Sequence, residues 1–283
     1  MIVPWRDRHG RFLALKAAVL AAGFVPGCVL AYWWATGALG GRPVTEVIHG
    51  AGDWAIRYLL ISLTITPAAR LLNWPRILLV RRIVGLTALA YAVAHLCLYV
   101  VDQNFHLLVV ASEILRRFYL TIGFVTLLGL SVLGTTSTDD WTRRLGRRWK
   151  MLHRSIYGLS VVALLHYFIQ SKSNVSEPVY FSGLFVWLML WRALPMAWQR
   201  SLLAPLGLTV LAACAAAGIE FAWYALATGI NPWRVLAANE TIRFGLRPVH
   251  YVALTGLGVT LLAGARRASS LIRSKPRLVP SGS

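Results

Sequence analysis

The chain has 283 residues, of which 57% are apolar and only 14% charged, and its mean hydropathy is +0.61. Water-soluble globular chains are about half apolar and a quarter charged, so this composition is typical of a membrane protein. The net charge of +19 comes from basic residues in short clusters between long apolar blocks. This distribution favours cytoplasmic membrane loops over a groove for nucleic-acid phosphates, and we expect no nucleic-acid partner.

The three cysteines, Cys28, Cys97 and Cys214, are far apart in the sequence, and each lies within an apolar block. We therefore expect neither a thiolate metal site nor a disulfide framework. The first apolar block ends without a small-residue cleavage pattern, which favours a retained first helix over a signal peptide.

Eight apolar blocks approach the length of about 20 residues that a helix needs to cross the hydrocarbon core. The predicted spans are 13–37, 55–72, 83–101, 118–134, 151–170, 178–195, 202–227 and 249–265. The second span has the weakest hydropathy because it contains Arg57 and Pro67. Since open sheet edges cannot remain unpaired in lipid, we predict an all-α fold, a polytopic transmembrane helical bundle.

The basic residues also predict the direction of the chain. If the N-terminus is cytoplasmic, 21 of the 29 Lys and Arg residues lie on the inner side and 8 on the outer side. Because cytoplasmic loops carry an excess of Lys and Arg, this asymmetry predicts that both termini are cytoplasmic.

The predicted bundle divides near residue 198, where a short polar break precedes an alanine-rich seventh span without histidine. We expect one transmembrane domain over residues 1–197 and a two-helix membrane extension over 198–267. Residues 268–283 form a basic tail rich in Ser and Pro, which we expect to be disordered and close to anionic membrane lipids.

Histidines within the spans are the candidate functional residues. His95 lies in the third span, and His153 and His166 lie in the fifth. Ionisable side chains within spans are rare and usually functional, and imidazole is a common axial ligand of haem iron. A hydrogen bond to a neighbouring helix is the alternative role for any single one. The other four are assigned to the N-terminal segment, outer loops and a helix boundary: His9, His49, His106 and His250.

The depths of these histidines follow from the helical rise of about 1.5 Å per residue. His95 lies roughly 18–20 Å from the cytoplasmic edge and His166 about 22 Å, so the two share one level and can clamp one iron. His153 lies about 20 Å below His166 and about 140° around the helix from it. At its level the third span has Arg81 and Arg82, so His153 has no evident partner. It would ligate a second haem with another partner, or contact another cofactor.

Five segments carry a resemblance to a known family. They are LTITPAAR at 63–70, RRIVGLTALAYAVAHLCLY at 81–99, RRFYLTIG at 116–123, TSTDDWTRRLGRRWKMLHRSIY at 136–157 and LLHYF at 164–168. Over residues 15–195 the chain resembles the MsrQ/YedZ family, the haem-binding membrane subunits of the bacterial periplasmic methionine sulfoxide reductase system. This family belongs to the ferric-reductase-like transmembrane group. Its haem histidines fall on His95, His153 and His166.

The resemblance implies a six-helix ferric-reductase-like core, here followed by two further helices, in the bacterial inner membrane. It also implies b-type haem and FMN as cofactors. Electrons would pass from the quinone pool or a cytosolic flavin reductase to a periplasmic molybdopterin-dependent methionine sulfoxide reductase subunit, which repairs oxidised envelope proteins. The chain would then be an electron-transfer subunit without catalytic residues of its own.

The FMN site is not assigned by the sequence. A flavin phosphate would favour the basic segments around Arg76–Arg82 or Arg143–Lys150, although these residues alternatively serve only to set the topology. Two other functions stay open: a ferric reductase built on the same haem scaffold, and a membrane transporter in which the histidines relay protons.

Overall fold

The computed structural model describes residues 12–172, 174–243 and 245–274, without the side chains of residues 200 and 270–274. Within these residues the chain is helical and contains no β-strand. The helices are α1 (Ala14–Ala35), α2 (Pro43–Leu71), α3 (Arg81–Asp102), α4 (Leu107–Arg116), α5 (Phe118–Thr135), α6 (Asp139–Leu145), α7 (Arg147–Arg154), α8 (Ile156–Ser171), α9 (Ser176–Ala193), α10 (Leu203–Ala227), α11 (Pro232–Ala237) and α12 (Pro248–Ser274). Short 3₁₀ turns occupy Pro75–Val80, Trp198–Arg200 and Ala238–Glu240.

Every predicted span corresponds to a helix or to two consecutive helices, so the all-α, multi-pass architecture is confirmed. In the described part of the chain, six helical stretches are long and apolar enough to cross a membrane. They are Ala14–Ala35, Pro75–Asp102, Phe118–Thr135, Arg147–Ser171, Leu203–Ala227 and Pro248–Ser269. Helices α2 and α9 are outside this set. Helix α2 contains the charged residues Glu46, Asp53, Arg57 and Arg70.

Helix α2 begins at Pro43, well before the predicted start at residue 55, and therefore His49 lies on a helix and not in an outer loop. The segment VIHGAG resembles a loop because it contains two glycines. In the structure these glycines allow close packing, as is common in membrane helices. Gly50 lies against the side chain of Leu30, and Gly52 lies against the ring of His95.

The fifth predicted span consists of two helices in sequence, α7 and α8, which are separated at Ser155. His153 therefore lies at the end of the short helix α7, whereas His166 lies on α8. The two histidines consequently do not share one regular helix, which agrees with the angular mismatch expected from the sequence.

The chain separates into two compact units, one of residues up to 65 and 78–174 and the other of residues 66–77 and those from 175 onward. The predicted functional division at residue 198 stays a prediction. At the C-terminus, α12 continues to Ser274, so residues 268–274 of the predicted tail are helical. Residues 275–283, like His9, lie outside the described part of the chain.

In the first unit, tyrosines stabilise α1 around its internal proline. Pro26 has no backbone N–H, so the carbonyl of Ala22 one turn earlier lacks its helical donor. The hydroxyl of Tyr58 donates a hydrogen bond to this carbonyl at 3.1 Å. The hydroxyl of Tyr91 accepts one from the next backbone nitrogen, that of Gly27, at 2.7 Å. Neighbouring helices thus provide hydrogen-bond partners for the backbone groups around a proline within a membrane helix.

In the second unit, α9, α10 and α12 pack closely, and Gly183 of α9 leaves room for the side chain of Val252. A polar cluster surrounds the buried residue Glu220 of α10. Glu220 accepts hydrogen bonds from Arg247 at 2.8 Å and from Asn239 at 3.1 Å. Arg247 also donates to the Asn239 side-chain oxygen at 3.1 Å, which closes a triangle of hydrogen bonds. The cluster holds the segment that connects α10 and α12 against α10.

Candidate functional site

The structure brings together the two histidines whose depths matched, His95 on α3 and His166 on α8. Their ring centres are 6.3 Å apart, and the ring planes are inclined at 82°. Both side chains are half-buried and belong to the first unit.

The ring of His95 is oriented by a hydrogen bond to the backbone. Its Nδ1 lies 2.8 Å from the carbonyl oxygen of Ile48 on α2. A carbonyl oxygen can only accept a hydrogen bond, so Nδ1 carries a proton, and in the neutral ring Nε2 keeps its lone pair. The free nitrogen of this neutral imidazole is therefore available as a metal ligand.

The ring of His166 is held in the same way. Its Nδ1 donates to the carbonyl oxygen of Tyr119, in the first turn of α5, at 2.7 Å. Metal-binding histidines commonly donate their second ring N–H to a carbonyl or carboxylate, which fixes the tautomer and raises the basicity of the ligating nitrogen. Both histidines therefore have the hydrogen bond expected of an axial ligand.

The pair fits a haem iron in its spacing and in its donor set. Two imidazoles on opposite sides of one metal ion, each bonded at about 2.0 Å, have ring centres roughly 6 Å apart. The observed separation is 6.3 Å. Among the described residues, no group of three or more His, Cys, Asp or Glu side chains could hold a metal ion. Two nitrogen ligands suffice for an iron whose other positions are filled by a porphyrin.

His153 has a separate set of contacts. Its ring stacks on that of Trp149, with ring centres 4.0 Å apart, and its Nε2 lies 3.2 Å from the hydroxyl of Thr136. The indole N–H of Trp149 donates to the Thr136 carbonyl at 2.9 Å. These three residues form a local cluster that involves neither His95 nor His166. A role of His153 apart from the pair stays a prediction.

Several basic residues of the two candidate FMN segments already have local partners. Arg82 forms an ion pair with Asp139 at 3.2 Å, and Arg143 forms one with Asp140. Arg144 lies over the ring of Trp141, 5.8 Å from its centre. These contacts suit a solvated basic surface, and they do not single out a flavin phosphate site.

Comparison with known proteins identifies the family. Residues 51–165 match the family model described as ferric reductase like transmembrane component. The chain is 39% identical over 188 residues to the protein-methionine-sulfoxide reductase heme-binding subunit MsrQ of Xanthomonas oryzae pv. oryzae (strain MAFF 311018), covering 64% of this chain and 86% of the relative. The corresponding protein of Caulobacter vibrioides is 40% identical over 176 residues, with coverages of 62% and 84%. That of Xanthomonas campestris pv. campestris (strain 8004) is 40% identical over 195 residues, with coverages of 66% and 88%.

The chain belongs to the MsrQ family. No solved structure is significantly similar to it. The segment that matches the family model extends from α2 to α8 and contains His95 and His153. It ends at Leu165, one residue before His166. The MsrQ assignment therefore agrees with the family resemblance of the sequence and confirms a multi-pass, ferric-reductase-like membrane protein.

The two backbone carbonyls that orient the histidines were not predicted. Every residue carries a carbonyl, so no residue type marks an acceptor in the sequence. The one available signal was a glycine four residues after each acceptor, in IHGAG at 48–52 and YLTIG at 119–123.

Proposed function

We propose that this chain is the membrane electron carrier of a methionine sulfoxide reductase system and binds b-type haem between His95 and His166. The observation that carries the proposal is the pair itself. The two imidazole rings have their centres 6.3 Å apart, a spacing at which both could hold one haem iron, and each Nδ1 donates its proton to a backbone carbonyl. The names of the MsrQ relatives, as heme-binding subunits of protein-methionine-sulfoxide reductase, support both halves of the proposal.

In this proposal the haem supplies the one-electron redox chemistry, and the chain supplies ligands, orientation and a dry environment. The hydrogen bonds to Ile48 and Tyr119 hold the two rings in one tautomer, so that both Nε2 atoms are ready to ligate. A protein sets a haem potential by excluding water and by forming hydrogen bonds to the ligands.

The finer parts of the proposal concern location and partners. The excess of basic residues on one side supports a bacterial inner-membrane protein with both termini in the cytoplasm. The histidine pair then lies toward the periplasm, where it would deliver electrons to a molybdopterin-dependent catalytic subunit that reduces methionine sulfoxide. The donor would be the quinone pool or a cytosolic flavin reductase, with FMN as an additional carrier. His153 would contact a second haem or another cofactor.

The test of haem binding is the visible spectrum of the purified protein, oxidised and dithionite-reduced, together with a measurement of bound haem. We expect a low-spin b-type spectrum in the wild type, and its loss in His95→Ala and in His166→Ala. His106→Ala is the matched control, because this histidine is exposed and its ring hydrogen-bonds to a neighbouring carbonyl in its own turn. Normal haem content in either test variant would contradict the ligand assignment. Acid extraction of the same preparation reports whether FMN is present.

A ferric reductase is the second candidate, because the matched family model describes that group. Reoxidation of the dithionite-reduced protein separates the two functions. We expect reoxidation by the molybdopterin-dependent subunit with methionine sulfoxide, and slow reoxidation by a ferric chelate. The opposite order of rates would favour the ferric reductase.

A further inference from the structure

We propose that Gly52 and Gly123 are positioning residues of the haem site, each providing the space in which one ligating histidine ring is held against its carbonyl acceptor. This inference rests on the proposed function, since it assigns the ring positions to haem binding. Its geometry, however, is independent of any bound group and can be tested on the apoprotein.

The first of the two arrangements joins α2 and α3. Ile48 supplies the carbonyl that accepts from His95, and Gly52 lies one helical turn further along the same face of α2. A Cβ atom at residue 52 would lie 3.1 Å from Nδ1 and 3.2 Å from Cε1 of His95. Any side chain there would therefore push the ring away from the Ile48 carbonyl.

The second arrangement joins α5 and α8 and is tighter. Tyr119 supplies the carbonyl that accepts from His166, and Gly123 again lies one turn further along the helix. A Cβ atom at residue 123 would lie 2.8 Å from Cε1, 2.9 Å from Nδ1 and 3.2 Å from Nε2 of His166. Since real Cβ contacts are not this short, the ring would have to move.

The two arrangements have the same residue spacing along the chain. In both, the acceptor carbonyl precedes its histidine by 47 residues, and the glycine follows the acceptor by four. Glycines in membrane helices commonly allow two backbones to approach. At these two positions the nearest group is an imidazole ring. The repetition on two separate helix pairs favours a role in ring placement over general helix packing.

Matched control glycines are present on the helices that carry the histidines. Gly85 lies on α3 with His95, and Gly158 lies on α8 with His166. A Cβ atom at either control position would meet nothing within 4 Å. Alanine at residues 85 or 158 therefore changes helix propensity in the same way as alanine at 52 or 123, without displacing a histidine.

The first experiment compares haem retention and midpoint potential in the four purified alanine variants. Changes in groups that orient a metal ligand typically weaken metal binding by about 10- to 100-fold. We expect Gly123→Ala to release haem to an acceptor protein at least about tenfold faster than the wild type, and Gly52→Ala to show a smaller effect. The midpoint potential should also shift in both. Gly85→Ala and Gly158→Ala should resemble the wild type.

The second experiment uses the apoprotein and does not depend on haem. Gly123→Ala should lower the thermal unfolding midpoint when His166 is present, but not in a His166→Ala background, where the ring is gone. Gly52→Ala should behave likewise with His95→Ala. Equal effects in both backgrounds, or wild-type haem retention and potential in the haem-bound variants, would overturn this inference. If the wild type binds no haem but the glycine changes still lower the unfolding midpoint only when the histidine is present, the proposed function alone is overturned.

Discussion

The hydroxyl of Tyr91 accepts a hydrogen bond from the Gly27 nitrogen at 2.7 Å and donates one to the Gly23 carbonyl at 2.9 Å. It therefore occupies the place of the direct helical bond between these two residues of α1. Insertion of a side chain into the hydrogen-bond ladder is one of the recognised causes of a helix bend. Here it occurs next to Pro26, so that α1 depends on α3 at its most irregular point.

Tyr91→Phe should reduce the stability of the protein, because the variant leaves both backbone groups of this bond without their partner. An unsatisfied buried polar group costs about 1–3 kcal/mol. We expect a lower thermal unfolding midpoint in detergent. Tyr32→Phe is the control, since Tyr32 lies on α1, the helix that Tyr91 supports, and its side chain is exposed. Equal midpoints for the two variants would show that the inserted hydroxyl contributes nothing.

Glu220→Gln should destabilise the second unit, because it leaves Arg247 without its charged partner. Removing one partner of a buried ion pair costs about 3–5 kcal/mol, and partial exposure of Arg247 places this pair near the lower value. Thermal unfolding is again the measurement, with the exposed residue change Glu240→Gln as a near-neutral control. The double variant Glu220→Leu with Arg247→Met should recover part of the loss. An unchanged unfolding midpoint in Glu220→Gln would contradict a stabilising role of the cluster.

Gly183→Ala should also destabilise the second unit, through crowding. A Cβ atom there would lie 2.5 Å from Cγ2 of Val252 and 3.1 Å from the Cβ of Ala216. Overpacking of this kind costs about 1–3 kcal/mol. Val252→Ala in the same chain should restore much of the stability, since it removes the shorter contact. Gly218→Ala on α10, which meets nothing within 4 Å, should not destabilise. Failure of the Val252 change to compensate would exclude this contact as the cause.

His153→Ala should leave the haem of the His95 and His166 pair in place, because His153 belongs to the cluster with Trp149 and Thr136. We expect the low-spin spectrum to persist, with a loss confined to any second cofactor. Thr136→Val, which removes the hydroxyl near Nε2, should give a milder form of the same change. Complete loss of haem in His153→Ala would contradict two separate sites.

The orientation of the chain can be tested with alkaline phosphatase fusions, since this enzyme is active only when exported. Fusion after Gly41, between α1 and α2, should be active, as should fusion after Lys172, at the end of α8. Fusion after Arg147, at the start of α7, should be inactive. The inverse pattern would reverse the cytoplasmic assignment of the termini.

Hydropathy predicted the long helices because burial in lipid requires an uninterrupted apolar run. It misplaced the start of α2, since Gly50 and Gly52 resemble a loop when read as single residues. The helical rise predicted that His95 and His166 share a level, because depth depends only on residue count along a helix. It could not predict the carbonyls of Ile48 and Tyr119, since an acceptor is chosen by how helices pack.

The hydrogen bonds at the two Nδ1 atoms also determine what else moves with an electron. In the proposed complex both Nε2 atoms bind iron, and both Nδ1 protons are already donated to carbonyls. Neither ring then has a basic nitrogen at which to take up a proton when the iron is reduced. Electrons would therefore pass the haem without a proton being taken up by either histidine ring. Their flow toward the periplasm would change the membrane voltage, and any protons that the donor releases or the acceptor consumes would be exchanged elsewhere than at these two rings.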